Sequence, residues 1–156
     1  MKRKNKRTLF VPLLAFILII SQSAAIAQIM TPIKWSYAAK RVSANEADVL
    51  LKASIAPGWH VYSTKQPPGG PLKTSFKFKK SPQIILVNAV AEPQPQKKFE
   101  KAFDMDVFYF ENEVIFSQTL RFKGKATSVK GSVEYMACND EKCLPPETIN
   151  FNILIK

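Results

Sequence analysis

The chain has 156 residues, with 23 Lys and Arg against 12 Asp and Glu, one histidine and two cysteines. Residues 1–27 hold five basic and no acidic side chains, so without them the formal net charge falls from +11 to +6. That surplus is scattered, and Lys79-Lys80 and Lys97-Lys98 read as solvated edges rather than the clustered patch of a nucleic-acid binder. A closed zinc site wants four ligands, and His60 with two cysteines does not supply them.

In chain order, Met1 to Arg7 is basic, Leu9 to Ile20 is apolar, and Ala25-Ile26-Ala27 is a small-x-small cleavage pattern. This is a secretory signal peptide over residues 1–27. The apolar run is short of the roughly 20 residues a spanning helix needs, and no cysteine follows it to take a lipid. The mature chain is expected to start at Gln28 and to be exported, without stable membrane insertion. An exported chain meets an oxidising environment that lets two cysteines pair. Residues 28–156 suffice for one domain with a real core.

From Ile33 onward short alternating runs predict strands at Lys34–Arg41, Ala47–Ile55, His60–Tyr62, Thr74–Phe78, Ile84–Val87, Val107–Phe110, Glu113–Phe122, Ser128–Tyr135 and Thr148–Ile155. Turn chemistry separates them at Ala56-Pro57-Gly58, Pro67 to Pro71, Glu111-Asn112 and Lys123-Gly124-Lys125. No amphipathic helix and no repeat is visible. The fold class is all-β, an immunoglobulin-like β-sandwich. Ala91 to Asp106 reads as a long irregular segment carrying Phe99 and Phe103, and a loop of that length tends to have a function.

Two runs carry chemistry. Gly58-Trp59-His60-Val61-Tyr62-Ser63 reads as a turn into a strand with Trp59 or Tyr62 in the core; a lone His is rarely catalytic. Tyr135 to Glu147 holds both cysteines. If Cys138 and Cys143 flank a four-residue hairpin loop, their α-carbons face each other at about 4.5–5.5 Å, and a disulfide can close. The enclosed loop is short, so the bridge contributes only about 2 kcal/mol in the chain-entropy account. As a staple it is poorly placed, whereas an exposed turn suits thiol-disulfide exchange. Asp140 and Glu141 beside the pair would raise a thiol pKa and Lys142 would lower it; Tyr62 or Tyr109 is expected to line the turn. Two other readings stand beside exchange: a binding module with a structural disulfide, and a soft copper(I) site using Cys138, Cys143, Met136 and Met105.

Three runs resemble the N-terminal periplasmic domain of the DsbD family of thiol:disulfide interchange proteins. They are Pro57 to Ser63, Phe103-Asp104 to Phe116, and above all Tyr135-Met136-Ala137-Cys138 to Cys143-Leu144-Pro145-Pro146-Glu147. The resemblance implies an immunoglobulin-like fold and a cysteine pair that needs no cofactor. It also implies protein-disulfide reductase chemistry between a thioredoxin-like donor and oxidised periplasmic proteins, including disulfide isomerases and cytochrome c maturation factors. By position, Cys143 forms the mixed disulfide and Cys138 resolves it. A cap loop between Lys98 and Asp106 covers the pair, centred on Phe103 with Phe99 as the alternative. The better-known enterobacterial form has one more residue between its cysteines. Full-length members continue into membrane and thioredoxin-like domains, so for a chain ending at Lys156 a separate membrane electron-transfer protein is the expected electron source.

Overall fold

The computed structural model describes residues 31–123 and 128–155; the expected signal peptide lies outside them. The strands are β1 (Ile33–Ser43), β2 (Glu46–Ile55), β3 (His60–Tyr62), β4 (Ser75–Phe78), β5 (Ile84–Ala91), β6 (Gln96–Glu100), β7 (Met105–Phe110), β8 (Glu113–Phe122), β9 (Ser128–Tyr135), β10 (Ala137–Cys138) and β11 (Glu147–Leu154). They form three antiparallel sheets, β1-β2-β8-β5, β10-β3-β7-β6 and β11-β9-β4. Among the described residues no helix is long and apolar enough to cross a membrane.

Alternation builds the core. On β2, Ala47, Val49, Leu51, Ala53 and Ile55 are buried; on β8, Val114, Phe116, Leu120 and Phe122 are. These side chains share one face because successive residues of a strand point to opposite sides. The first sheet meets the third through aromatic rings: Trp35 lies 6.0 Å from Phe76 and 5.5 Å from Tyr135. Tyr37 lies 5.4 Å from Phe151, and Phe76 lies 5.0 Å from Phe116. Each fully buried large apolar side chain of this kind stabilises the fold by about 1.5–3 kcal/mol. Gly131 is where the third sheet requires glycine, since a Cβ there would collide with the Lys77 carbonyl oxygen and the Phe151 ring.

Three elements differ from the sequence expectation. β5 does not stop at Val87: it shifts register between Val87 and Ala91, with Asn88 at φ 62°. The buried Gln118 amide donates to the Val87 carbonyl at 2.9 Å, satisfying the disrupted ladder. β6 lies inside the segment expected to be irregular, because one face of Gln96–Glu100 is solvent-facing and its apolar alternation is weak. Finally, β9 pairs directly with β11, Tyr135 opposite Glu147. Met136 to Pro146 is therefore an excursion from that hairpin, and its first residues join the second sheet as β10.

Candidate functional site: a half-open disulfide

The site is built on β3. Ala56-Pro57-Gly58-Trp59 forms a turn closed by Trp59 N–H donating to the Ala56 carbonyl at 3.1 Å. Proline presets the second position, and Gly58 at φ 77° takes the third, as a type II turn requires. The three residues of β3 are all buried. Val61 faces the main core with Ala137 and Phe110, its cross-strand partners. His60 and Tyr62 therefore face the other way, on the side that Cys138 and Tyr109 share as their respective partners. Beyond Tyr62 side chains add to the backbone bonding. The Thr74 hydroxyl donates to the Tyr62 carbonyl at 2.6 Å. The Gln66 amide bonds both the N–H and the carbonyl of Phe108, a carbonyl that also accepts from the Ser63 N–H at 2.9 Å.

Cys138 and Cys143 are disulfide-bonded, with α-carbons 4.0 Å apart. This is closer than expected for an open hairpin pair, because the bridge draws the strands together. Leu144 N–H donates to the Ala137 carbonyl at 2.8 Å and Asn139 N–H to the Lys142 carbonyl at 2.9 Å, so the cysteines oppose each other between two bonded rungs. The loop is closed from inside: Asn139 Oδ1 accepts from Glu141 N–H at 3.0 Å and Lys142 N–H at 2.8 Å.

The turn is exposed from Asp140 to Cys143, as the sequence suggested, but the first cysteine is not. Cys138 is 1% exposed and clusters with Tyr62 and Val107, against which Met105, Tyr109 and Met136 pack. Cys143 is exposed. One cysteine is thus enclosed by the second sheet and the other is an exposed residue. The fold does this by pulling β10 onto β3, which buries the first cysteine and leaves the returning strand outside.

A cavity of about 280 Å³ opens over the pair, lined by Tyr62, Glu100, Phe103, Asp140, Glu141 and Lys142 among others. Phe103 comes from the four-residue turn joining β6 to β7, where its N–H donates to the Glu100 carbonyl at 3.1 Å and Asp104 takes φ 53°. The element that brings Phe103 to the cavity is a tight hairpin tip rather than a long loop. Phe99 does not reach the site. It alternates with Glu100, which lines the cavity, so it points from the opposite face and is 58% exposed. Tyr109 lies behind the lining, its ring 5.3 Å from that of His60 and its hydroxyl donating to Gln96 at 3.2 Å.

His60, Glu100, Ala102 and Asn139 belong to the site or its frame and were not among the residues expected there. Asn139 had a readable signal, since Asn before Asp-Glu-Lys favours a side-chain-closed turn. Glu100 had none, because its position depends on β6 being a strand. His60 Nε2 is 3.3 Å from the Tyr62 oxygen. Burial lowers its pKa to about 4, aided by Lys98 and opposed by Glu100 and Asp140. Burial, and then Glu100, pushes Tyr62 up to about 12. Glu100 in turn pairs with Lys98 at 3.2 Å. Among the described residues no group of three or more His, Cys, Asp or Glu side chains is gathered to hold a metal ion.

An immunoglobulin-like sandwich carrying one half-open disulfide defines a domain of the thiol:disulfide interchange class. Residues 28–155 match the family model described as "Thiol:disulfide interchange protein DsbD, N-terminal", and the chain belongs to that family. The fold is shared with the N-terminal periplasmic domain of ScsB from Proteus mirabilis (TM-score 0.60, 18% identity, 79% of this chain). The chain spans 46% of that relative's length. The Neisseria meningitidis DsbD N-terminal domain in its reduced form is also similar (TM-score 0.54, 17% identity, 81% of this chain and 90% of that one). So is the same domain in its complex with the PilB N-terminal domain (TM-score 0.52, 15% identity, 80% and 87%). A comparison with curated protein sequences returned no match.

Proposed function

We propose that this domain carries reducing equivalents in the periplasm, from a thioredoxin-like donor charged by a membrane electron-transfer protein to oxidised exported proteins. The observation that carries the reading is the asymmetry of the pair: Cys143 is open to a partner, and Cys138 is enclosed directly behind it. In the reduced domain, Cys143 thiolate attacks a partner disulfide, forming a mixed disulfide and expelling the partner's second sulfur as thiolate. Cys138 then attacks Cys143 Sγ, which releases the reduced partner and restores the internal bridge. Charging by the donor runs the same steps in reverse. Phe103 gates the approach to Cys143. Family membership supports the exchange chemistry, and the complex of the meningococcal relative with PilB supports a protein partner.

The test is the reduction potential of the pair, from free thiols at equilibrium in dithiothreitol or glutathione buffers. A value above roughly −270 mV belongs to an exchange protein; one below roughly −300 mV marks a structural bridge and a binding module instead. Cys138→Ala is expected to trap partners on Cys143.

A further inference from the structure

His60 is the single histidine of the chain, buried to 2% exposure on the face that carries Cys138. As direct cross-strand partners, Cys138 and His60 have Cβ atoms about 4.5–5.5 Å apart. The imidazole is held edge-on between Tyr62 and Tyr109, at ring distances of 5.2 and 5.3 Å, and so has a defined orientation. In the tautomer with its proton on Nε2, that nitrogen donates to the Tyr62 oxygen at 3.3 Å and Nδ1 keeps a free lone pair. The charged groups around it are Lys98 and Glu100 from β6 and Asp140 from the hairpin, with the Tyr62 phenol on its own strand and the Tyr109 phenol on β7.

We infer that His60 is the proton acceptor of the resolving step, taking the Cys138 thiol proton so that the enclosed sulfur can attack Cys143. The inference rests on the exchange reading above. In the mixed disulfide, Cys138 is a buried thiol, and a lone thiolate there would be costly. Transfer of its proton to His60 gives a thiolate-imidazolium pair with no net charge change. The thiolate attacks Cys143 Sγ, the bond from Cys143 to the partner breaks, and the partner leaves as thiolate. Once the internal disulfide has formed, the imidazolium has lost its counter-charge, and burial expels its proton to the departing thiolate or to water. Tyr62 is the positioning residue, since its oxygen engages Nε2 and, by accepting from it, leaves Nδ1 as the acceptor.

The reduced domain mixed with 5,5′-dithiobis(2-nitrobenzoate) reports both steps, because one thionitrobenzoate leaves when Cys143 reacts and a second when Cys138 resolves the adduct. A thiolate-imidazolium pair forms without exchanging a proton with solvent, so the second release by the wild-type domain is expected to be nearly independent of pH between about 6 and 8. In His60→Gln it is expected to be about a hundredfold slower at pH 7 and to rise about tenfold per pH unit, with the first release within about twofold of wild type. A wild-type second release that rises tenfold per pH unit overturns the inference, and this profile needs no variant to fold. Equal resolution rates in His60→Gln and wild type overturn it too. A wild-type domain that releases no second thionitrobenzoate refutes the exchange reading itself, and the role of His60 with it.

Discussion

His60 makes the oxidised domain sensitive to acid in a way that can be calculated. Its pKa is about 4 in the folded chain, against 6.5 for an ordinary histidine, chiefly because burial penalises the imidazolium. Between those values the unfolded chain binds the extra proton and the folded chain does not, so stability rises with pH across the window and is lost as pH falls from 6.5 towards 4. The penalty is negligible at pH 7, about 2 kcal/mol at pH 5, and limited to about 3 kcal/mol at still lower pH. His60→Gln keeps a polar side chain of similar size and removes the titration. Urea unfolding of oxidised wild type and variant at pH 7 and pH 5 isolates the effect, since carboxylates titrating in the same range are common to both. Wild type is expected to lose about 2 kcal/mol more than the variant over that interval. Equal losses would show that the imidazole is solvated or already paired as a cation, and the reasoning from burial would be wrong.

Phe103→Ala should leave stability little changed and speed reduction of the disulfide by dithiothreitol about tenfold, equivalent to about 1.4 kcal/mol of barrier; an unchanged rate would mean that the ring does not obstruct Cys143. Asn139→Ala removes both hydrogen bonds that close the loop, and is expected to destabilise the reduced domain by about 1–2 kcal/mol in denaturant melts. Gly131→Ala forces a Cβ against the Lys77 carbonyl and the Phe151 ring. It should cost about 1–3 kcal/mol by the same measurement without altering the potential of the disulfide, and a neutral result would show that the third sheet can separate at no cost.

Two-residue periodicity was strong wherever a strand buries one face completely. β2 and β8 alternate without interruption, and both were readable to within a residue or so. The same signal failed on β6, whose exposed edge needs no apolar pattern, and on β10, which is only two residues long and exists because a partner strand is there to receive it. The cysteine run was legible as a turn with paired sulfurs, and its residues also carried the family resemblance. The burial of Cys138 was not legible. Nothing local to Tyr135-Met136-Ala137-Cys138 says that the chain leaves the β9 to β11 hairpin to lie along β3.

Sequence alone thus determined what depends on neighbours along the chain: the strand periods, the Pro57-Gly58 turn, the four-residue spacing that lets the cysteines face each other, and the family. Tertiary structure decided what depends on which strands meet. It buried Cys138 while leaving Cys143 exposed, brought Phe103 to the cavity that the cysteines line while turning Phe99 away, and set His60 opposite Cys138 across some 78 residues of chain. The physical reason is that burial and cross-strand pairing are properties of the packed sheet, and a side chain's surroundings are fixed only when distant segments close over it.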